Sequence, residues 1–344
     1  MCRMGRRAGD GRTGRPLIAV AVAVAVLAGC GGPAPRAGSP PTSTTSAGPG
    51  VSSTTVPSPW SAPAAVVDTT HPLAGLSCPT TTFCLALSSA DTSSVFNGTR
   101  WSAPAPVAPG PAPSPGTADV SCTSPGFCMA VPGGNDVVRW DGLSWAAPTT
   151  LGGAEQLLSV SCAGSQFCVT IDGVGDSYFY DGQWESPVNG WGGATSISCV
   201  TASFCMATVG GAMRWNGSSW SEPSDVDTSG QLDAMSCTST TFCVAGDTSG
   251  DVVVWDGLSW SAPQSVDPAP SGSAVGSNGL TSVSCVGSDF CVAVDGGGRA
   301  VQFDGHTWSA PRTIDAQSGL VAVSCASPSF CLALDKLGHV LTYR

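Results

Sequence analysis

Between residue 78 and the C-terminus, short apolar runs alternate with turns rich in Gly, Ser, Thr and Pro, a pattern of many short strands rather than helices. Asp119 to Pro148 shows the unit in full. Val120-Ser121-Cys122 reads as a short buried strand, Phe127-Cys128-Met129-Ala130-Val131 as a second, and Val137-Val138-Arg139-Trp140 as a third that alternates enough to be half buried. Asp141-Gly142 is a strong hairpin signal, and Ser144-Trp145-Ala146-Ala147-Pro148 forms the fourth strand. The same turn chemistry returns at Asn97-Gly98, Asp181-Gly182, Asn216-Gly217, Asp256-Gly257 and Asp304-Gly305.

The unit recurs seven times, each copy carrying two cysteines six positions apart, with first cysteines spaced 44, 40, 37, 38, 48 and 40 residues. Four short strands at a period near 40 mark a propeller blade. The predicted fold is all-β: a seven-bladed β-propeller of four-stranded blades. One blade has two apolar faces and needs neighbours to bury them.

A Trp-x-x-Pro ending also occurs seven times, at Trp60, Trp101, Trp145, Trp184, Trp220, Trp260 and Trp308. Its phase is offset from the cysteines. Trp60 precedes the first pair, and the chain stops at Val340-Leu341-Thr342-Tyr343-Arg344, which aligns with a third strand. The segment around Trp60 is therefore expected to supply the fourth strand of the last blade and close the ring, removing the exposed edges of an open array.

The paired cysteines are Cys78 and Cys84, Cys122 and Cys128, Cys162 and Cys168, Cys199 and Cys205, Cys237 and Cys243, Cys285 and Cys291, and Cys325 and Cys331. With first and second strands antiparallel, both members of a pair lie near one turn at disulfide distance. The rival reading is metal, but no His accompanies the pairs and two thiolates make an incomplete site. Disulfides are the expectation.

The first 58 residues differ in kind. Residues 1–29 read as an export signal, with a basic head followed by about a dozen apolar residues, too few to span a bilayer. The run ends Leu27-Ala28-Gly29-Cys30. It resembles a bacterial lipobox, which implies that Cys30 is acylated and becomes the new N-terminus. Residues 30–58 are then a Pro/Ser/Thr/Gly tether that cannot bury a core, and 59–344 is the propeller. The expected location is the extracytoplasmic face of the cell membrane, held by the lipid at Cys30.

After residue 15 the chain carries 8 basic and 23 acidic side chains, a net −15. Such a surface repels phosphate backbones, so nucleic acid is not an expected partner.

Of 24 aromatic residues, 21 recur with the blade: the Phe before each second cysteine, the aromatic ending each third strand, and the Trp-x-x-Pro tryptophans. They are read as packing between blades. Tyr178, Phe179 and Trp191 fall outside the pattern, all in blade 3 or the linker leaving it. Tyr178 and Trp191, with Asp172 and Asp176 as hydrogen-bonding neighbours, are the candidate ligand platform on the face shared by the inter-blade linkers and the second-to-third-strand turns, here called the top. Further top-face aspartates (Asp68, Asp227, Asp247, Asp267, Asp295, Asp315, Asp335) are read as turn formers.

No catalytic residue, cofactor or metal site is expected; no segment has a Ca²⁺-loop pattern. Of the three His residues, His71 and His339 are expected to approach each other at the junction of blades 7 and 1, with Asp68 and Asp335 nearby, and are read as solvated turn histidines in preference to a metal or acid–base site.

Over residues 60–344 the repeat resembles Cys-containing propeller repeats of secreted proteins from high-GC Gram-positive bacteria, a resemblance that implies no particular reaction. The reading is a monomeric, non-enzymatic binding module for a glycan or an envelope protein, using its top face. The alternatives are a carbohydrate-active enzyme of glycoside hydrolase or lyase type, requiring two top-face carboxylates facing one cleft, and an inert scaffold.

Overall fold

The computed structural model describes residues 58–65, 71–108, 118–190, 192–227, 230–268 and 279–344. The export segment, Cys30, the tether as far as residue 57, Asp68 and Trp191 lie outside the described residues. Every described element is a strand, and the strands form seven antiparallel sheets.

The innermost strands of blades 1 to 7 are Leu73–Thr80, Asp119–Ser124, Leu157–Gly164, Ser196–Thr201, Leu232–Ser239, Leu280–Cys285 and Leu320–Ser327. Each is followed outward by its hairpin partners. Second strands such as Phe127–Val131 are buried along their whole length, which is why they read as unbroken apolar runs. Third strands such as Asp136–Trp140 are buried only in part, hence their alternation.

Five blades are four-stranded. Blades 3 and 4 form three-stranded sheets, their fourth segments reduced to single bridges at Tyr180–Trp184 and Ser177–Val188, and at Trp215–Trp220 and Ala212–Ser224. Elsewhere the residues beyond the Trp-x-x-Pro proline make a two-residue pairing, such as Val252 with Gln264 and Asp251 with Ser265. In blades 3 and 4 only one residue past Pro187 and Pro223 does so. The outermost segments of all blades carry a proline, which has no N–H to offer an invading strand.

The ring closes as the sequence predicts. Trp60 bridges Tyr343, Ala64 and Ala65 pair with Val340 and His339, and Ser61 N donates to Thr342 O at 2.7 Å.

All seven predicted disulfides form. Cys84 is bonded to Cys78, Cys128 to Cys122, Cys168 to Cys162, Cys205 to Cys199, Cys243 to Cys237, Cys291 to Cys285 and Cys331 to Cys325, with Cα atoms 3.9–4.1 Å apart. In blades 2 to 7 the two cysteines stand directly opposite each other in the antiparallel ladder, where side chains approach most closely. Each pair stands beside its hairpin turn, as the spacing predicts, but inside the ladder. Cys84, Cys128, Cys168, Cys205, Cys243, Cys291 and Cys331 are all 0% exposed, because each lies inside a second strand that neighbouring blades cover on both faces. The bonds are thus part of the core rather than clips at the surface, and none of these sulfurs is open to a ligand.

Seven apolar clusters fill the seven seams between neighbouring blades. The repeated aromatics meet there as expected. In every blade the Trp of the fourth segment packs on the aromatic ending the third strand, with ring centroids 5.3–5.8 Å apart. Offset and edge-on pairs of this kind add about 0.5–1.5 kcal/mol each beyond area burial.

The serine of each Val-Ser-Cys or equivalent triplet has a role that the repeat alone does not disclose. Its hydroxyl accepts from the cysteine N–H of the next blade, at 2.8–3.1 Å: Ser77 from Cys122, Ser121 from Cys162, Ser161 from Cys199, Ser198 from Cys237, Ser236 from Cys285, and Ser284 from Cys325. Ser324 accepts from Cys78 and completes the circle. An innermost strand has no strand partner on its channel side, so its N–H groups need side-chain acceptors. The serine ring supplies one per blade.

The Asx-Gly hairpins are Asx turns. Asp141 Oδ1 accepts from Leu143 N and Ser144 N, and Asp256 and Asp304 repeat the arrangement. The glycines sit at φ 100°, 98° and 90°, a region where L side chains are strained. These backbone N–H donors hold the three exposed carboxyls below the usual range.

Candidate functional site

Three regions of the ring have the chemistry to be a site: the central channel, the top-face turns, and the outer seam between blades 1 and 2.

The channel is lined by the innermost strands of all seven blades and encloses about 250 Å³. Its carboxylates are Asp119 and Asp233. Asp119 is committed to structure. Its Oδ2 accepts from Ser159 Oγ at 2.8 Å and Val160 N at 3.0 Å in the next blade, while burial pushes its carboxyl above the ordinary value.

On the top face, the aspartates after the second strands are turn formers, as predicted. Asp172, Asp247, Asp295 and Asp335 are each fully buried, and each Oδ1 accepts from the N–H groups two and four residues on. In blades 3, 6 and 7 the second oxygen has a different partner each time. Asp172 Oδ2 accepts from Glu155 N, Asp295 Oδ2 from Arg299 Nε at 2.8 Å, and Asp335 Oδ2 faces His339 Nδ1 at 2.7 Å. Arg299 also reaches Asp267 at 2.9 Å.

The sequence placed its ligand candidates in blade 3 and the linker leaving it, and the structure gives Tyr178, Asp172 and Asp176 other roles. Tyr178 is 1% exposed, packed in the seam between blades 2 and 3 with Leu151, Leu157 and Val160. It is no open platform. Its phenol is pushed above the ordinary value by burial and by the negative charges of Asp172 and Asp176. The reason is register. Two residues before the third-strand aromatic, where Tyr178 stands, the other blades carry Ser94, Val138, Met213, Val253, Val301 and Leu341, all buried. Asp172 is consumed by its turn, and Asp176 Oδ1 accepts from Gly190 N at 3.3 Å. Phe179 lies over Trp215 of blade 4 with centroids 4.4 Å apart, so it too is packing. His71 is exposed, and His339 is bound up with Asp335.

The apolar concavity lies elsewhere. Between blades 1 and 2, a groove of about 850 Å³ is lined by Val95, Pro106, Val107, Trp140, Leu143 and Trp145, among others. Its volume falls within the roughly 300–1,000 Å³ of small-ligand sites. Trp145 Nε1 donates to Ser93 Oγ of blade 1 at 2.9 Å, fixing the indole as one wall. Leu143, at the tip of the Asp141-Gly142 hairpin, is 90% exposed. Its counterpart in blade 5, Leu258, is 88% exposed. A leucine held out to water on a rigid Asx turn gains nothing for the fold. A related but smaller hollow, about 380 Å³, lies between blades 2 and 3 beside Tyr180 and Trp184.

Near the groove, Asp91 combines a positive φ of 58° with 6% exposure. Burial, and secondarily the charge of Asp136, raises its pKa from 3.8 to about 6. Protonated Asp91 is the form the fold prefers. Its stabilising contribution is complete below about pH 3.8 and is lost as pH rises through about 6. Asp91→Asn keeps a residue tolerant of positive φ and removes the ionisation. We expect the variant to be more stable than the parent at pH 8, by up to about 3 kcal/mol for a two-unit shift, and equal to it at pH 4. Denaturant unfolding at the two pH values checks this, and parallel pH profiles for both proteins would contradict it.

No family model matches the chain, nor does any curated protein. Solved structures do. A structure described as YCF48 bound to D1 peptide superposes with a TM-score of 0.66 at 16% identity, covering 84% of this chain and 97% of that one. The RRP9 WD40 repeats superpose with a TM-score of 0.67 at 12% identity, over 82% and 98%. YCF48 from Cyanidioschyzon merolae gives 0.59 at 14%, over 83% and 98%. At these identities the likeness speaks for architecture: the chain is a seven-bladed β-propeller whose blades are stapled by disulfides.

Proposed function

We propose that the protein is a non-enzymatic binding module, held on the extracytoplasmic face of the membrane by a lipid at Cys30, that grips an apolar segment of an envelope protein in the outer groove between blades 1 and 2. The observation that carries this reading is the groove itself, an aromatic and aliphatic concavity of about 850 Å³ with an exposed leucine at its rim. Anchors for partner side chains have this character: rigid, apolar and already desolvated on one wall. Three of the four turn carboxylates of the top face speak against the hydrolase alternative. Asp172, Asp295 and Asp335 spend both oxygens on turn N–H groups and neighbouring donors instead of facing one open cleft. A partner is also known for one similar propeller, the YCF48 structure with its D1 peptide.

The location rests on the lipobox and the tether.

The test uses Leu143→Asp, which at a 90% exposed position leaves stability within about 0.5 kcal/mol. Random peptides displayed on phage are panned against the intact oxidised chain, with a glycan array run in parallel. We expect enriched peptides to share an aromatic or branched apolar anchor and to bind the variant at least about tenfold more weakly. Enrichment indifferent to Leu143→Asp, or glycans as the only ligands, would overturn the groove reading. In the same cells, Cys30→Ala is expected to move the protein from the membrane fraction to the medium; retention on the membrane would overturn the anchor.

A further inference from the structure

We propose a calcium site at the junction of blades 4 and 5, formed by Asp227 in the linker, Asp247 after the second strand of blade 5, and Asp251 at the start of its third strand. One carboxylate oxygen from each of the three lies within 4.8 Å of the other two. Oxygens about 2.3–2.6 Å from one Ca²⁺ can span that distance.

Comparison of the blades shows what the place is for. In blade 6 the corresponding linker and turn aspartates, Asp267 and Asp295, are bridged by Arg299, four residues after the turn aspartate. In blade 7 the residue four after Asp335 is His339, against its Oδ2. In blade 3 the backbone N–H of Glu155 satisfies Asp172 Oδ2. Blade 5 places a third carboxylate, Asp251, where blades 6 and 7 place Arg299 and His339.

A second observation, independent of the clustering, points to a ligand. Asp247 is 0% exposed, its Oδ1 is occupied by Ser249 N and Asp251 N, and its Oδ2 has no hydrogen-bond partner. That oxygen faces Gly230 in the linker carrying Asp227, where a Cβ would collide with it. Only a glycine lets the linker backbone come this close to the carboxylate. A fully buried carboxylate oxygen without a donor, beside two more carboxylates, is a costly arrangement unless a cation completes it. All-oxygen, multiply carboxylate coordination suits a hard cation, and sites made from linker and strand ends suit the adaptable geometry of Ca²⁺ more than the compact octahedron of Mg²⁺.

The experiment titrates CaCl₂, and separately MgCl₂, into the chelator-stripped, oxidised full chain by calorimetry, with melting curves alongside. We expect one Ca²⁺ per chain, a Kd no weaker than about 10⁻³ M, and a melting temperature raised by about 5 °C or more at 100-fold excess over Kd. Asp251→Asn should weaken Ca²⁺ binding at least about tenfold. Asp251→Arg copies blade 6, and should melt at or above the calcium-free parent with no response to calcium. No binding by the parent at ~10 mM CaCl₂, well above the range of weak extracellular sites, would overturn the proposal. So would Asp251→Asn binding with unchanged affinity, or Mg²⁺ binding more tightly than Ca²⁺.

Discussion

Once its seven disulfides are reduced, the propeller is expected to be unfolded at 37 °C. Each bond closes a loop of about seven residues, for which chain entropy gives roughly 2.4 kcal/mol. Summed over separate blades this is roughly 17 kcal/mol, against a net stability of about 5–15 kcal/mol for ordinary domains. The apolar seams cannot make up the difference, because each joins only two thin sheets. The second cysteine of every pair, from Cys84 to Cys331, is 0% exposed, so reductant reaches these bonds slowly in the folded ring. The measurement is therefore reduction in denaturant followed by refolding with or without oxidant, read by near-ultraviolet circular dichroism. Removing one pair alone, Cys122→Ala with Cys128→Ala, should cost about 2–3 kcal/mol and leave the ring folded. Refolding to a native spectrum in the reduced state would show that the seams suffice without the staples.

Trp60→Ala is expected to destabilise by about 3–5 kcal/mol, as for a buried tryptophan cut to alanine. Trp60 is 9% exposed and packs edge-on against Tyr343 at 5.4 Å. Around it, Ser61 N donates to Thr342 O, Thr342 N to Ser61 Oγ, and Arg344 N to Pro59 O. The equivalent Trp145 is only half buried and joins two segments five residues apart. Trp145→Ala should therefore cost less. Trp60 joins the two ends of the chain, and losing it frays the whole closure. Deleting residues 1–65 goes further and bares the edge of the last third strand, so the truncated chain should self-associate in light scattering. Melting curves for Trp60→Ala and Trp145→Ala that shift equally would refute the special role of closure.

Much of the architecture was legible because it repeats. The cysteine spacing, the Asx-Gly turns and the Trp-x-x-Pro phase each return seven or nearly seven times, so position in the blade can be read by counting. The absent fourth strand after Tyr343 and the surplus one at Trp60 followed from that count. At Tyr178, residue type misleads. Its aromatic character sets it apart from the repeat, yet its position two before Tyr180 is an inward one in every blade. Side-chain direction, at period two, outweighs residue type. The serine ring was hidden for a different reason. Ser121 and Cys162 are 41 residues apart, and a repeat shows that a serine recurs without showing which blade it serves. The groove between blades 1 and 2 and the Asp227–Asp247–Asp251 cluster are likewise products of adjacency between blades. A trace of the latter was present all the same: Asp251 stands where the next two blades carry Arg299 and His339.

The closure at Trp60 also bears on the order in which the ring is made. A ribosome delivers Trp60 some 280 residues before Tyr343, its partner. Each disulfide, by contrast, joins cysteines six apart and is free to form as soon as its own hairpin has reached an oxidising compartment. The chain therefore acquires its local cross-links blade by blade while the strand at Trp60 waits, and the arrival of His339–Tyr343 decides whether it is used. A chain cut short of His339–Tyr343 is a row of stapled hairpins with an unpaired edge, which the pairing of Trp60 with Tyr343 removes.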